Sequence, residues 1–286
     1  MSILIRLQNI DRRMLYALVA AIVAIPLIMR PSKHPDVVFP EVQSAYRAID
    51  SVPQGKIVLI STSWGAGTKA ENEPQTEALM RHMFAKGIKF VVMSWEPAGS
   101  EITYQTGMRV QEAMHKKYGA DWAHLGYKVG TASVIISGLG HDFRKVMVQD
   151  RTGTKLEKMP VTRDVHGAKQ IGAVVDITSV GMMGLWIAYL TTPKNIPLVY
   201  CPTAVMSAGA YPYLDSGQLK GMLNGVMGAV QYETLIGRSN EATDAAATSW
   251  ALSAAHIYII VLIVLGNLGY LAAKKAGIGT GGSRLG

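Results

Sequence analysis

Long apolar stretches near both ends of the chain constrain its fold more than any other feature. Residues 14–29 and 249–273 contain no Asp, Glu, Lys or Arg. A helix needs roughly 20 apolar residues to cross a bilayer, so the second stretch, of 25 residues, spans comfortably and the first, of 16 residues, only just. We therefore predict an N-terminal and a C-terminal transmembrane helix, with the lipid bilayer as a partner of the chain.

The charges beside these stretches indicate an orientation. Residues 1–30 contain four arginines and one aspartate, whereas residues 249–286 contain three basic residues and no acidic one. Because Lys and Arg in short flanks favour the cytoplasmic side, we predict that both termini are cytoplasmic and that the central region lies outside the cytoplasm. Two alternatives for the first stretch are a cleaved signal peptide and a helix lying at the membrane interface.

The composition argues against several classes of protein. The single cysteine, Cys201, rules out an internal disulfide, and no Cys/His group has the spacing of a zinc site. The formal net charge of +8 belongs mostly to the two ends, so the central region is nearly neutral and lacks the basic stripe of a nucleic-acid-binding domain. We expect no metal, no cofactor and no nucleic-acid partner.

Between its ends, the chain alternates buried-type strands with helices. Apolar runs rich in β-branched residues at 56–61, 88–95, 171–178 and 196–200 have the character of strands buried on both faces, and residues 123–129 are a shorter candidate strand. This pattern predicts a Rossmann-like α/β domain, in which a doubly wound, mostly parallel sheet of about five strands forms the middle of a three-layer sandwich. The predicted organisation is an N-terminal anchor (1–30), a connector (31–55), the α/β domain (56–238), a C-terminal transmembrane helix (249–273) and a flexible basic tail (274–286).

Hydroxyl groups, glycines and tryptophans follow the predicted strands. In a doubly wound sheet, ligands bind beyond the carboxyl ends of the strands, so these side chains form a candidate ligand site. The candidate residues are Ser61, Thr62, Ser63, Trp64, Gly65, Gly67, Trp95, Glu96, Thr178, Ser179 and Thr203. We expect Trp64 to offer a stacking face to a small ligand; the alternative is that the loop is a structural turn and that the hydroxyls cap helices.

The loop after the first strand matches neither GxGxxG nor GxxxxGK[ST], so the sequence gives little indication of a phosphate site. A transferase that uses this Gly-rich loop is an alternative function.

A second enzymatic alternative comes from the segment Met206-Ser207-Ala208-Gly209, which follows a predicted strand. It resembles the nucleophile region of the ClpP-class serine peptidases, which include membrane-tethered members similar to signal-peptide peptidase A. The resemblance implies a hydrolase with Ser207 as its nucleophile. The sequence departs from that family in two respects: the only lysine between Ser207 and the second apolar stretch is Lys220, and the glycine pair expected at the oxyanion hole is absent.

Glycines also recur within a predicted helix at about 215–236. Gly217, Gly221, Gly225 and Gly228 would share one face of this helix, which suggests close backbone packing on the domain's own sheet or against a second chain. In the C-terminal apolar stretch, His256 and Asn267 are the strongly polar residues, and such residues usually face a protein partner. The function predicted first is a membrane-anchored ligand- or partner-binding component of a homo-oligomeric or larger membrane assembly.

Overall fold

A computed structural model describes residues 11–32 and 37–275 of the chain. Residues 1–10 of the predicted anchor, residues 33–36 of the connector and residues 276–286 of the predicted basic tail lie outside the described residues. The chain divides into two compact units: Lys33–Glu241, and a terminal unit formed from the two ends of the chain.

Helices and strands alternate along Lys33–Glu241. Across the described residues, the helices are α1 (Arg12–Met29), α2 (Pro40–Asp50), α3 (Lys69–Lys86), α4 (Pro97–Ala113), α5 (Ala132–His141), α6 (Phe143–Val146), α7 (Met183–Trp186), α8 (Thr192–Lys194), α9 (Tyr211–Asp215), α10 (Gly225–Leu235) and α11 (Asp244–Lys275). A π-helical segment, Ile187–Thr191, joins α7 to α8. The strands are β1 (Ile57–Ser63), β2 (Lys89–Ser94), β3 (Trp122–Tyr127), β4 (Ile171–Thr178), β5 (Leu198–Pro202) and β6 (Gly221–Met222).

The six strands form one open sheet in the order β3-β2-β1-β4-β5-β6, and neighbouring strands are parallel. The chain runs outward from β1 to β3, crosses back to place β4 beside β1, and then runs outward in the other direction. The order therefore reverses between β1 and β4. This confirms the predicted α/β class, with a mostly parallel sheet and helices on both sides.

An apolar core covers each face of the sheet, because successive residues of a strand point to opposite faces. In β1, Ile57 and Leu59 face one core, which is completed by residues of α5, α6 and α7. Val58 and Ile60 face the other core, which is completed by residues of α2, α3, α4 and α10. The continuous apolar runs of the strands follow from this burial on both faces.

The predicted helix over 215–236 is wrong in its first half, and the sheet has six strands rather than about five. Gly217 lies in a turn with φ of +72°, and Gly221 lies in β6 beside β5. Only Gly225 and Gly228 belong to a helix, α10, so the four glycines do not form a row on one helix face. A Cβ at Gly221 would lie 2.1 Å from the backbone nitrogen of Ala45, so the absence of a side chain lets α2 cross β6.

The terminal unit consists of α1 and α11, which pack against each other. Both helices are long and apolar enough to cross a membrane. The hydroxyl of Tyr258 donates a hydrogen bond to the carbonyl oxygen of Leu15 at 3.4 Å, and the guanidinium of Arg30 contacts the carboxylate of Asp244.

Candidate functional site

The loops that follow the strands converge at one edge of the sheet, because backbone hydrogen bonds continue beyond the ends of the strands. The amide of Trp95 donates to the carbonyl of Thr62 at 2.8 Å, and the amide of Ser179 donates to the carbonyl of Ser63 at 3.0 Å. The amide of Thr203 donates to the carbonyl of Thr178 at 3.1 Å. The predicted residues after β1, β2, β4 and β5 are thus brought together at the carboxyl edge, where the strand order reverses.

Open space surrounds the glycines of these loops. A Cβ built at each of five glycines would meet no atom within 4 Å; they are Gly65 and Gly67 after β1, Gly181 and Gly184 after β4, and Gly209 after β5. The predicted loop glycines Gly65 and Gly67 therefore border accessible space.

Most of the predicted hydroxyls are used within the fold. Thr62 is buried and donates to the carbonyl of Met93 at 3.1 Å. The hydroxyl of Thr178 donates to the carbonyl of Val180 at 2.6 Å and accepts a hydrogen bond from the amide of Val180 at 3.0 Å. Thr203 is also buried, whereas Ser179 is half-buried and Glu96 is exposed. These bonds shape the turns at the strand ends rather than capping the helices that follow, because α3, α4 and α7 have no side-chain hydrogen bond at their N-caps.

The two predicted tryptophans differ in their surroundings. Trp64 is fully buried in the core beneath α3 and α4, so the expectation that its indole offers a stacking face is wrong. It is the residue after β1, and the alternation along the strand turns its side chain to the α3 side of the sheet. Trp95 is half-buried on the opposite face, where its Nε1 donates to the hydroxyl of Ser61 at 3.1 Å.

The residue that sequence reasoning missed is Asp176, which lies in β4 at the point where the strand order reverses. It is in register with Ser61 on β1 and with Tyr200 on β5, and it is fully buried. Among the described residues, neither carboxylate oxygen has a hydrogen-bond partner; the same holds for the Oγ of Ser63 and the Nε1 of Trp186. An acidic residue inside the apolar run of β4 was the available sequence signal, because carboxylates are rarely buried without a partner.

Burial raises the pKa of Asp176 to about 7, because removal from water disfavours the charged carboxylate. Ser61 and Trp186 act in the opposite direction and favour the ionised form, although neither forms a hydrogen bond of ordinary geometry with the carboxylate. The carboxylate also raises the pKa of the neighbouring Tyr200, after the larger effect of burial. A carboxyl group with a pKa near neutral pH can exchange a proton or pair with a cation, which is why such groups are frequent at functional sites.

The first turn of α3 does not favour a phosphate group at the Gly-rich loop. Glu71 lies in this turn, and its Oε2 accepts a hydrogen bond from the amide of Ala204 at 2.8 Å. The carboxylate of Glu71 already lies at the positive end of the helix dipole, where an anionic ligand would have to bind. The structure therefore gives the transferase alternative no additional support.

Ser207 is buried in a 3₁₀ segment after β5, where its hydroxyl donates to the carbonyl of Ala204 at 2.8 Å. In the part of the chain that the structure describes, no histidine, lysine or carboxylate is hydrogen-bonded to this hydroxyl. Lys220 lies at the other end of β5, where its amide donates to the carbonyl of Leu198. An activated nucleophile needs a base within hydrogen-bonding reach, and the geometry around Ser207 does not bring one there.

Two cavities lie at the amino edge of the sheet, away from the predicted residues. A cavity of about 450 Å³ lies beside Ile57 and Lys89, and one of about 370 Å³ lies beside Ile171 and Lys194. Several lysines line them, among them Lys86 and Lys194 in the last turns of α3 and α8. Lysines in the last turn of a helix interact favourably with the negative end of its dipole, so these lysines can be accounted for without a bound ligand.

Comparison of the chain with protein-family models, with curated proteins and with solved structures found no match.

Proposed function

We propose that this chain is a membrane-anchored binding protein whose α/β domain lies outside the cytoplasm and binds a small polar ligand at the carboxyl edge of its sheet. The observation that carries the proposal is the convergence of the loops after β1, β4 and β5 around open space at the point where the strand order reverses. In open α/β sheets this is the usual place for a ligand.

The exposed apolar side chains support the membrane anchorage. Among the residues that the structure describes, 28 large hydrophobic residues are exposed, and 18 of them belong to α1 or α11. None of the residues of α1 is buried. A soluble protein rarely exposes apolar surface of this extent, whereas a bilayer would cover it. The basic residues that flank the two helices favour cytoplasmic termini.

The side chains at the reversal of strand order support ligand binding. Asp176 and the Oγ of Ser63 are polar groups without a hydrogen-bond partner among the described residues. Buried polar groups without partners are uncommon in folded proteins, because desolvation is costly. Serine hydroxyls and one carboxyl, near strand ends whose following loops carry glycines beside open space, suit a ligand with hydrogen-bonding and cationic groups.

Adding a large side chain beside the loops at the carboxyl edge tests this function. Gly65→Leu places its Cβ where no atom lies within 4 Å, and the extended backbone at this position accommodates leucine, so we expect the variant to fold normally. Ala85→Leu adds the same side chain at an exposed position near the end of α3, and it serves as the matched control.

The measurement is native mass spectrometry of the full chain purified in detergent from its own membranes. We expect a small-molecule adduct on the wild type and on Ala85→Leu, and its loss from Gly65→Leu. Equal retention by all three proteins, or no adduct on any of them, would contradict a ligand site at this edge.

The hydrolase alternative has its own test. A fluorophosphonate probe labels an activated serine, and we expect no labelling of the wild type because Ser207 has no base beside it. Labelling of the wild type that disappears in Ser207→Ala would replace the binding function with serine hydrolysis.

A further inference from the structure

The packing of the terminal unit divides α11 into two sides. The side of α11 that packs on α1 is marked by a set of its less exposed residues that recur at a helical spacing, among them Ala251, Tyr258, Leu262, Leu265 and Gly269. The hydrogen bond from Tyr258 to Leu15 joins the two helices along this seam. From Tyr258 onward the seam residues are three or four positions apart, which is the spacing at which one face of a helix packs along another helix.

Asn267 lies on the other side of α11. It is two residues from Leu265 and two from Gly269, which places it about 200° around the helix from each of these seam residues. Asn267 is exposed, and its neighbours on the same side, Ile260 and Ile263, are 60% and 58% exposed. Within the described residues of this unit, nothing covers this side of the helix.

An exposed asparagine is costly at this position if α11 spans the membrane, as the proposed function requires. Asn267 is six residues from the end of the apolar stretch, or about 9 Å along the helix axis. Its side chain is too short to reach the interface as lysine or arginine does. An amide at this depth needs a hydrogen-bond partner from another helix.

We infer that the side of α11 that carries Asn267 packs against the same side of a second copy of this chain. Copies with the same orientation in the membrane present Asn267 at the same depth on parallel helices. The amide carries both donors and an acceptor, so two asparagines satisfy each other across a twofold axis. Ile260 and Ile263 would supply the apolar contacts beside this pair. This inference rests on the membrane anchorage in the proposed function.

Disulfide cross-linking in native membranes tests the orientation of the interface. In a Cys201→Ser background, Ile263→Cys places a thiol on the Asn267 side, and Leu265→Cys places one in the seam with α1. We expect mild oxidation to link Ile263→Cys into dimers and to leave Leu265→Cys monomeric. Equal cross-linking of the two variants, or none of Ile263→Cys, would overturn the proposed interface.

The contribution of the amide is measured by sedimentation of the full chain in density-matched detergent at several detergent concentrations. We expect Asn267→Leu to weaken dimerisation about tenfold, since one interhelical hydrogen bond in a membrane is worth about 1–2 kcal/mol. Asn267→Gln keeps the amide and should retain most of the dimerisation, and the seam variant Tyr258→Phe should leave it unchanged. Dimerisation of Asn267→Leu at the wild-type strength would overturn the role of Asn267.

Carbonate washing of the same membranes separates this inference from the proposed function. A chain that carbonate removes is not membrane-spanning, and both proposals then fail. A chain that resists carbonate but is monomeric in detergent and does not cross-link contradicts only the homotypic interface, which would leave a different membrane protein as the partner of Asn267.

Discussion

Two buried titratable residues of the α/β domain affect its stability in opposite directions as the pH changes. Burial raises the pKa of Asp176 above its ordinary value of 3.8, whereas it lowers the pKa of His124 from 6.5 to about 3. Both shifts have the same cause, because a low-dielectric interior disfavours the charged form of either group. The protonated carboxyl and the neutral imidazole are therefore the forms that the folded domain favours.

The first prediction at the residue scale concerns Asp176. The folded state keeps its proton up to about pH 7 and the unfolded state loses it above about pH 4, so this group costs stability progressively as the pH rises between those values. The full cost above neutral pH is about 4 kcal/mol. We expect Asp176→Asn to be more stable than the wild type at pH 8, with the difference disappearing by pH 4. Denaturant titration of the full chain in detergent, followed by tryptophan fluorescence, measures this, with the exposed Asp164→Asn as the control. An unchanged pH profile in Asp176→Asn would contradict the assignment.

His124 is predicted to limit stability in acid. Its Nδ1 accepts a hydrogen bond from the amide of Gly126 at 3.0 Å, so the proton lies on Nε2, which donates to the hydroxyl of Thr103 at 3.0 Å. As the pH falls from 6.5 to 3, the imidazole becomes protonated in the unfolded state but stays neutral in the folded state. This difference lowers the free energy of unfolding by up to about 5 kcal/mol. We expect His124→Gln to flatten this part of the stability profile and His115→Gln, at an exposed histidine, to leave it unchanged. An equal acid dependence in the two variants would contradict the buried neutral imidazole.

At the scale of elements, the contact between α2 and β6 makes Gly221 a position without room for a side chain. A Cβ there would lie 2.1 Å from the nitrogen and 2.4 Å from the Cα of Ala45, and backbone cannot move away as a flexible side chain could. We expect Gly221→Ala to destabilise the domain by about 1–3 kcal/mol or more, as overpacking does. The control is Gly209→Ala, where no atom lies within 4 Å. Comparable denaturation midpoints for the two variants would contradict the close packing of α2 on β6.

The same elements show how far sequence reasoning reaches. The run at 171–178 has the same limits as β4, because burial on both faces leaves a continuous apolar signal. β6 is only two residues long and is held in place by its contacts with β5 and α2, so no local sequence pattern predicts it. The burial of Trp64 could not be predicted either, because a shift of one residue along β1 would turn the indole to the other face of the sheet.

The position of the candidate loops at the carboxyl edge of the sheet could be predicted from the sequence, because the carboxyl ends of parallel strands lie at the same edge. It did not reveal which hydroxyls are used by the turns themselves, since those bonds depend on neighbouring strands that are far apart in the chain. Thr62, for example, donates to a carbonyl 31 residues away. Asp176 was visible as an acidic residue in an apolar run, but its position at the reversal of strand order required the topology of the whole sheet.

At the scale of the whole molecule, the proposed function makes the orientation of the chain in the membrane the property that decides which compartment supplies the ligand. The chain offers a convenient background for labelling, because its single cysteine, Cys201, is buried and burial raises the pKa of its thiol well above the usual value. A thiol that stays protonated and inaccessible reacts slowly with maleimides. New cysteines at exposed positions therefore report their own compartment. Lys155→Cys in the α/β domain and Lys275→Cys at the end of α11 suit this purpose.

The last prediction is the pattern of labelling by a membrane-impermeant maleimide in intact cells stripped of their outer layers. Flanking arginines and lysines favour the cytoplasm, so we expect Lys155→Cys to be labelled in intact cells and Lys275→Cys only after lysis. The wild type should stay unlabelled in both conditions, which controls for Cys201. Labelling of Lys275→Cys but not Lys155→Cys in intact cells would invert the orientation and place the ligand site in the cytoplasm. Labelling of both, or of neither, before lysis would contradict a topology in which both ends of the chain lie on one side of the membrane and the α/β domain on the other.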